Sequence, residues 1–256
     1  MRAFVAFVGK EWLELTRSGK FFVLLAVFVL FGVMNPAIAK LTPWMMEVFS
    51  ESFEEIGIVM GEVEVNALTS WTQFYKNVPI ALILFLIMFS GILTTECQKG
   101  TLIPILTKGM QRWKVMLAKI SVTILLWTGG YWTCYGITYG YNQYFWDNGI
   151  VFSVWFAAFC LYLVGVWLNS LLLLSSAVLR TNTAVLAATG GVFLLVYLAG
   201  MIPGAAKYLP AQLFHSASLL SGSGEAKEYG CAIGITALSC VVNLVFSVIG
   251  FNKKAL

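Results

Sequence analysis

Charged side chains are scarce in this sequence: 16 Lys or Arg and 12 Asp or Glu make up 11% of its 256 residues, where a soluble domain carries about 25%. With 59% of the residues hydrophobic, that shortage excludes a cytosolic enzyme, a nucleic-acid reader and a disordered tail. The net charge of +4 is too small to attract nucleic acid. A single histidine, His215, removes most zinc sites and most histidine-dependent catalysis at once. The five cysteines, Cys97, Cys134, Cys160, Cys231 and Cys240, form no CxxC pair and read as packed thiols. HExxH, GxSxG, a calcium-loop spacing and a Walker A phosphate loop are all missing as well. No catalytic residue and no metal site is therefore expected, and the chain is not an enzyme by itself.

What the sequence has instead is long charge-free runs. Six stretches without Asp, Glu, Lys or Arg reach 19 residues or more: 21–39, 77–95, 120–146, 148–179, 181–206 and 229–252. Each is long enough for one membrane-crossing helix, which needs about 20 apolar residues. The expected fold is an all-α integral membrane protein, a single transmembrane domain over 1–256. Its spans are expected at about 21–39, 78–95, 115–138, 153–178, 183–203 and 230–251. Cationic residues gather on alternate connections: 12 of the 16 fall on one side, while the other keeps nine of the twelve acids. By the positive-inside rule this places both termini in the cytoplasm of a multi-pass protein of the cell membrane. A secretory signal ending at Ala37-Ile38-Ala39 is the rival reading, but the long N-terminal part carries Glu11 and Glu14.

Between the spans, residues 3–19 predict an amphipathic helix at the membrane surface. Phe4, Val5, Val8, Trp12 and Leu15 share one face; Lys10, Glu14 and Arg17 share the other. An acidic outer loop is expected over 40–76, with short helices around Met45, Met46, Phe49, Phe53, Ile56 and Met60. The uncharged segment 208–224 is too short and polar to span, and an outer re-entrant hairpin is expected at 207–228.

The most informative stretch is Glu96 to Lys119. Thr101 is a candidate N-cap and Pro104 falls in the first turn, where its missing N–H costs nothing. Leu102, Ile105 and Leu106 form a short apolar stripe before Gly109 ends the helix. Lys99, Lys108, Arg112 and Lys114 flank it, so it is shaped either to dock into a cytoplasmic partner or to touch lipid headgroups.

This segment resembles the cytoplasmic loop of the membrane subunits of type-2 ATP-binding-cassette exporters, where E-x-x-x-G-T-x-x-x-x-L is followed by a turn and Arg. The matching positions are Glu96, Gly100, Thr101, Leu106 and Arg112, with Leu102 in the same stripe. Lys10, Glu11, Trp12 and Arg17 look like that family's elbow helix. One departure is Gly109, Met110 and Gln111, where the family often has Pro before the Arg. The resemblance implies a permease subunit whose 96–114 segment couples to a cytoplasmic ATPase, present in two copies that bind ATP and Mg, so that this chain binds neither. It also implies a second membrane subunit, either another copy of this chain or a paralogous permease.

Trp127, Tyr131 and Tyr135 fall close to one face of the third span and, with Asn169 of the fourth, could line a weakly polar cargo path, although helix packing uses the same spacing. A path without charge suits a hydrophobic or amphipathic cargo. A peptide toxin or bacteriocin-like peptide is the leading reading. Lipid-like or small drug molecules are an alternative, as is a stand-alone membrane immunity or binding protein.

Overall fold

The computed structural model describes residues 2–54, 65–202 and 204–254, with no side chains described for residues 2, 3 and 49–54. The described chain is all helix and turn. Helix α1 (Arg2–Arg17) is followed by α2 (Lys20–Glu54), α3 (Ala67–Phe89), the short α4 (Thr94–Gln98) and α5 (Ile103–Thr107), and α6 (Arg112–Phe145). Then come α7 (Val154–Val178), α8 (Asn182–Ala199), the four-residue α9 (Ala211–Phe214) and α10 (Gly230–Lys253). Among the described residues six helical segments are long and apolar enough to cross a membrane: Lys20–Val48, Ala67–Gln98, Arg112–Phe145, Val154–Val178, Asn182–Ala199 and Ala226–Lys253.

Helix α2 does not stop at residue 39 but continues to Glu54, through Pro36 and Pro43. A proline inside a helix frees the carbonyl four residues before it. The carbonyl of Gly32, freed by Pro36, accepts from the Thr138 hydroxyl of α6 at 3.1 Å. Asn35 Nδ2 donates to that same hydroxyl at 3.0 Å, and Asn77 Nδ2 of α3 donates to Asn35 Oδ1 at 2.7 Å. This buried amide and hydroxyl chain binds α2, α3 and α6 together inside an apolar bundle, where an unsatisfied carbonyl is costly. The expected outer loop is correspondingly shorter, since Asn66 caps α3 by accepting from Thr69 N–H. Ile56 and Met60 of the expected outer helical pattern lie outside the described residues.

An aromatic core fills the space between α2, α3, α6 and α7. Trp71, Phe74, Phe85, Trp127 and Tyr131 are fully buried in it. Phe22, Val23, Leu30, Ile83, Leu195, Leu238 and Val241 point outward from α2, α3, α8 and α10, as expected of helices solvated by lipid. Helix α8 buries only Val185 and Thr189. Residues 206–221 form short turns whose Leu213, Leu219 and Leu220 are buried against the bundle, where Ser216 Oγ donates to the Ala157 carbonyl at 3.2 Å.

Helix α1 turns a different face inward from the one its apolar wheel suggests. Phe7, Glu11 and Leu15 are its buried stripe, while Val5, Trp12 and Leu13 are exposed. Trp12 packs on Phe21 at the start of α2, with ring centroids 5.4 Å apart. The physical reason is Glu11, whose ionic partner lies in the bundle.

Candidate functional site

A second, smaller apolar cluster sits where α1, the α4–α5 segment and the first turns of α6 meet the ends of α7 and α10. It holds Phe7, Leu93, Leu102, Val115, Met116, Leu173, Ala177 and Phe251. Two left-handed glycines set the path of the chain across it: Gly100 at φ +66° turns out of α4, and Gly109 at φ +90° turns out of α5. Thr101 does not cap α5. Its hydroxyl and its N–H both turn back to the Glu96 carbonyl, at 3.4 and 3.1 Å, and Leu102 occupies the cap position with no side-chain bond. Pro104 stands in the first turn as expected.

The leucine stripe divides. Leu102 is fully buried in the small cluster and Leu106 is half-buried, while Ile103 is 47% exposed and Pro104 is exposed. The helix is therefore pinned by Leu102 and presents Ile103, Pro104, Thr107 and Lys108 outward.

Charge holds the entrance of this segment. Glu96 Oε1 is 2.6 Å from Lys10 Nζ, and Glu96 Oε2 is 2.7 Å from Lys119 Nζ. Lys119 also reaches Glu11 Oε2 at 3.0 Å, while Lys10 reaches Glu11 at 3.1 Å and Glu14 at 2.7 Å. Lys119, Glu11 and Glu96 are all buried, so these pairs sit in low dielectric where neither sign is tolerated alone. Burial works against the charged form of Lys10, but its bonds to Glu14 and Glu96 outweigh it and hold its pKa above the ordinary lysine value. The cluster lines a cavity of about 110 Å³ floored by Met88, Phe89 and Ile92. Carboxylate oxygens of Glu11, Glu14 and Glu96 lie within 4.8 Å of one another, the spacing of a metal site, but the Lys10 and Lys119 ammoniums already sit on them.

The exit of the segment is held by Arg112. Its Nη1 reaches the carbonyls of Phe251, Asn252 and Lys254 at 3.3, 3.2 and 2.6 Å, closing the end of α10. Lys254 in turn donates to the carbonyls of Ser176 and Leu179 at the end of α7, at 2.8 and 2.6 Å. Burial and the nearby Arg180 push the Lys254 ammonium below the ordinary lysine value. Gln98 Nε2 donates to the Arg180 carbonyl at 2.7 Å, and Asn182 bonds both Thr94 and Thr95, which ties α4 to the turn between α7 and α8.

The sequence-expected residues thus separate into groups. Of the segment's residues, Glu96 meets Lys10 directly and Glu11 through Lys119, Leu102 joins the small apolar cluster, and Arg112 sits on the end of α10; Trp12 and Arg17 lie on the exposed side of α1. Trp127, Tyr131 and Tyr135 are elsewhere, buried in the aromatic core, with Trp127 Nε1 donating to the Tyr162 carbonyl and the Tyr131 hydroxyl to the Ala158 carbonyl. Asn169 is fully buried in α7, and neither of its amide atoms has a hydrogen-bond partner among the described residues. Its neighbour Ser170 makes the interhelical bond instead, accepting from Asn243 of α10 at 3.1 Å. Sequence reasoning missed Lys119 and Lys254. The available signal was the presence of three acids, Glu11, Glu14 and Glu96, on the side that the charge rule fills with cations.

A family model described as "ABC-2 family transporter protein" matches residues 5–256. The chain is also similar to a Bacillus subtilis (strain 168) protein described as "Uncharacterized transmembrane protein YxlG", with 24% identity over 261 residues covering 99% of this chain and 98% of the relative. No solved structure matches it.

Proposed function

The chain belongs to the ABC-2 family of transporter proteins, and we propose on that premise that its 96–112 segment is the part through which a separate cytoplasmic ATPase drives it. The chain is a multi-pass membrane permease component. In the proposed assembly two ATPase subunits bind ATP and Mg, and each docks one permease subunit, which pairs with a second copy or a paralogue. Both termini lie in the cytoplasm, in keeping with the distribution of Lys and Arg.

The observation that carries this reading is the exposed Ile103 and Pro104 on a helix pinned from behind by Leu102. A short apolar knob, flanked in the sequence by Lys99, Lys108 and Lys114, suits a groove with an apolar floor and an acidic rim. Because the segment is tied to α1 and α6 at one end and to α10 at the other, a push on the knob is passed to the spans. The cargo is read as hydrophobic or amphipathic, a toxin-like peptide first. What supports this is that the buried charged side chains among the described residues, Glu11, Glu96 and Lys119, all sit at the end of the bundle that carries α1. Deeper inside, the buried polar groups are neutral: Asn35, Asn77, Thr138 and Asn169.

The test is co-purification of the tagged chain from native membranes. The unaltered chain is expected to bring down a P-loop ATPase, and Ile103→Asp to weaken that association by at least about tenfold, as loss of an interface anchor does. The substitution falls on an exposed position, so the elution of the chain itself stays unchanged. Full retention of the ATPase by Ile103→Asp would show that docking occurs elsewhere.

A further inference from the structure

At the end of the bundle opposite α1 and the 96–112 segment, α6 runs out at Phe145 and the chain turns through Asn148–Ile150 into α7. Asn148 pins the turn, accepting from the Trp71 indole at 3.1 Å and donating to the Tyr139 carbonyl at 3.2 Å. The Phe152 N–H is held by the Leu220 carbonyl at 3.2 Å. Ser153 then enters the helix at φ +46°, a left-handed conformation that residues other than glycine adopt at a cost. Beside these ties lies an open cavity of about 460 Å³, walled by Tyr139, Gln143, Gly149, Ser153, Trp155 and Phe156, a size suited to a small ligand.

Trp155 stays 60% exposed there, although Trp132, Tyr135 and Tyr139 lie against it with ring centroids 6.1, 4.8 and 5.8 Å away. Interfacial anchoring asks only for single rings at headgroup level, not for a corner of Tyr139 and Trp155 backed by two further rings. Among the described residues that line the cavity there is no lysine or arginine. The Asp147 carboxylate lies beside Gly149: its Oδ1 accepts the Gly149 N–H at 2.9 Å, and its Oδ2 is 3.3 Å from where a Cβ on that glycine would stand. In the sequence this side of the chain holds nine of the twelve acids and only four of the sixteen cations. Aromatic faces attract a cation through the ring quadrupole, and a nearby carboxylate adds to that pull. Ile150, Phe152 and Phe159 are exposed close by in the chain, which gives an alkyl chain an apolar surface to lie on.

We propose that the cavity between the end of α6 and the start of α7 binds the cationic group of an amphiphilic alkylammonium compound, with Tyr139 and Trp155 as its aromatic walls and Asp147 as its counter-charge. The site is built by this chain alone and lies at the other end of the bundle from Ile103, so it stands or falls independently of ATPase docking. The same chemistry is offered by a free cationic amphiphile and by the trimethylammonium headgroup of phosphatidylcholine.

The experiment uses the full chain in a neutral maltoside detergent, with tritiated octyltrimethylammonium as the probe and scintillation proximity on the tagged protein as the readout. Saturable binding is expected. Trp155→Ala is expected to weaken it by about tenfold or more, and Trp155→Tyr, which keeps a ring, by about threefold or less. Asp147→Asn should weaken it by about threefold at low ionic strength, a difference that closes as salt is added. The uncharged analogue with carbon in place of the quaternary nitrogen should compete at least about tenfold less well than the unlabelled probe. Displacement by added phosphatidylcholine would identify a lipid headgroup as the natural occupant, and probe binding that phosphatidylcholine leaves intact would identify a free amphiphile; either result supports the site. Absence of saturable binding, unchanged affinity in Trp155→Ala, or equal competition by the uncharged analogue would overturn it. Loss of the ATPase in Ile103→Asp with probe binding unchanged is the result expected if both readings hold.

Discussion

Lys119→Met is expected to destabilise the folded chain by about 3–5 kcal/mol, the usual cost of removing one partner from a buried ionic group. Lys119 is 1% exposed and is the ammonium shared by Glu11 and Glu96. Its loss leaves two buried carboxylates with only Lys10 between them, and Lys10 is already engaged by Glu14. The penalty comes from the stranded charges more than from the lost attraction. A triple variant, Lys119→Met with Glu11→Gln and Glu96→Gln, is therefore expected to recover most of the stability while still losing the link between α1 and the 96–112 segment. Thermal unfolding followed by size-exclusion fluorescence checks both. A single variant as stable as the original would show that the three groups are not held as described.

Gly165→Leu comes next in size. A Cβ at position 165 would lie 2.0 Å from Trp127 Cζ2 and 2.1 Å from Cε2, well inside van der Waals contact. The indole cannot retreat, because Phe28, Phe85 and Tyr131 surround it with ring centroids 5.5 to 5.8 Å away, and its N–H is engaged by Tyr162. Overpacking a filled core costs about 1–3 kcal/mol per insertion, and this site lies at the upper end or beyond. The same unfolding assay should show a large fall in the midpoint for Gly165→Leu, and partial recovery when Trp127→Ala is added, since the two positions share one space. An unchanged midpoint would mean that α6 and α7 are not in contact there.

The spans were legible because the chain announces them by omission: each overlaps a different charge-free stretch of 19 residues or more, and that follows from the cost of charge in lipid whatever the tertiary packing. The end of α2 was not legible. The charge-free run closes at Lys40, but the helix goes on, and the Gly32 carbonyl that Pro36 frees is taken by a hydroxyl 106 residues further along. The inward face of α1 was hidden for the same reason. Apolar periodicity favours Trp12, yet Glu11 faces inward because its partner Lys119 lies 108 residues further along. Within the 96–112 segment, residue types alone could mark a short apolar helix but could not tell which of Leu102 and Ile103 points out. That depends on the two positive-φ glycines and on the cluster around Phe7 and Met116. The aromatic stripe of α6 was ambiguous between packing and a path. In the fold, Trp127, Tyr131 and Tyr135 are packed against Phe28, Phe74 and Trp71 within one chain.

An ATPase seated on Ile103 would come within reach of a photoreactive side chain placed there, so site-specific photo-cross-linking reports the contact itself. A photoreactive side chain replaces Ile103 in one chain and, as a control, the exposed Leu41 of α2 in another. Irradiation of native membranes should join a P-loop ATPase to position 103 and leave position 41 unjoined. Absence of the ATPase at position 103 in a folded chain, or equal capture at both positions, would mean that the ATPase does not seat on Ile103.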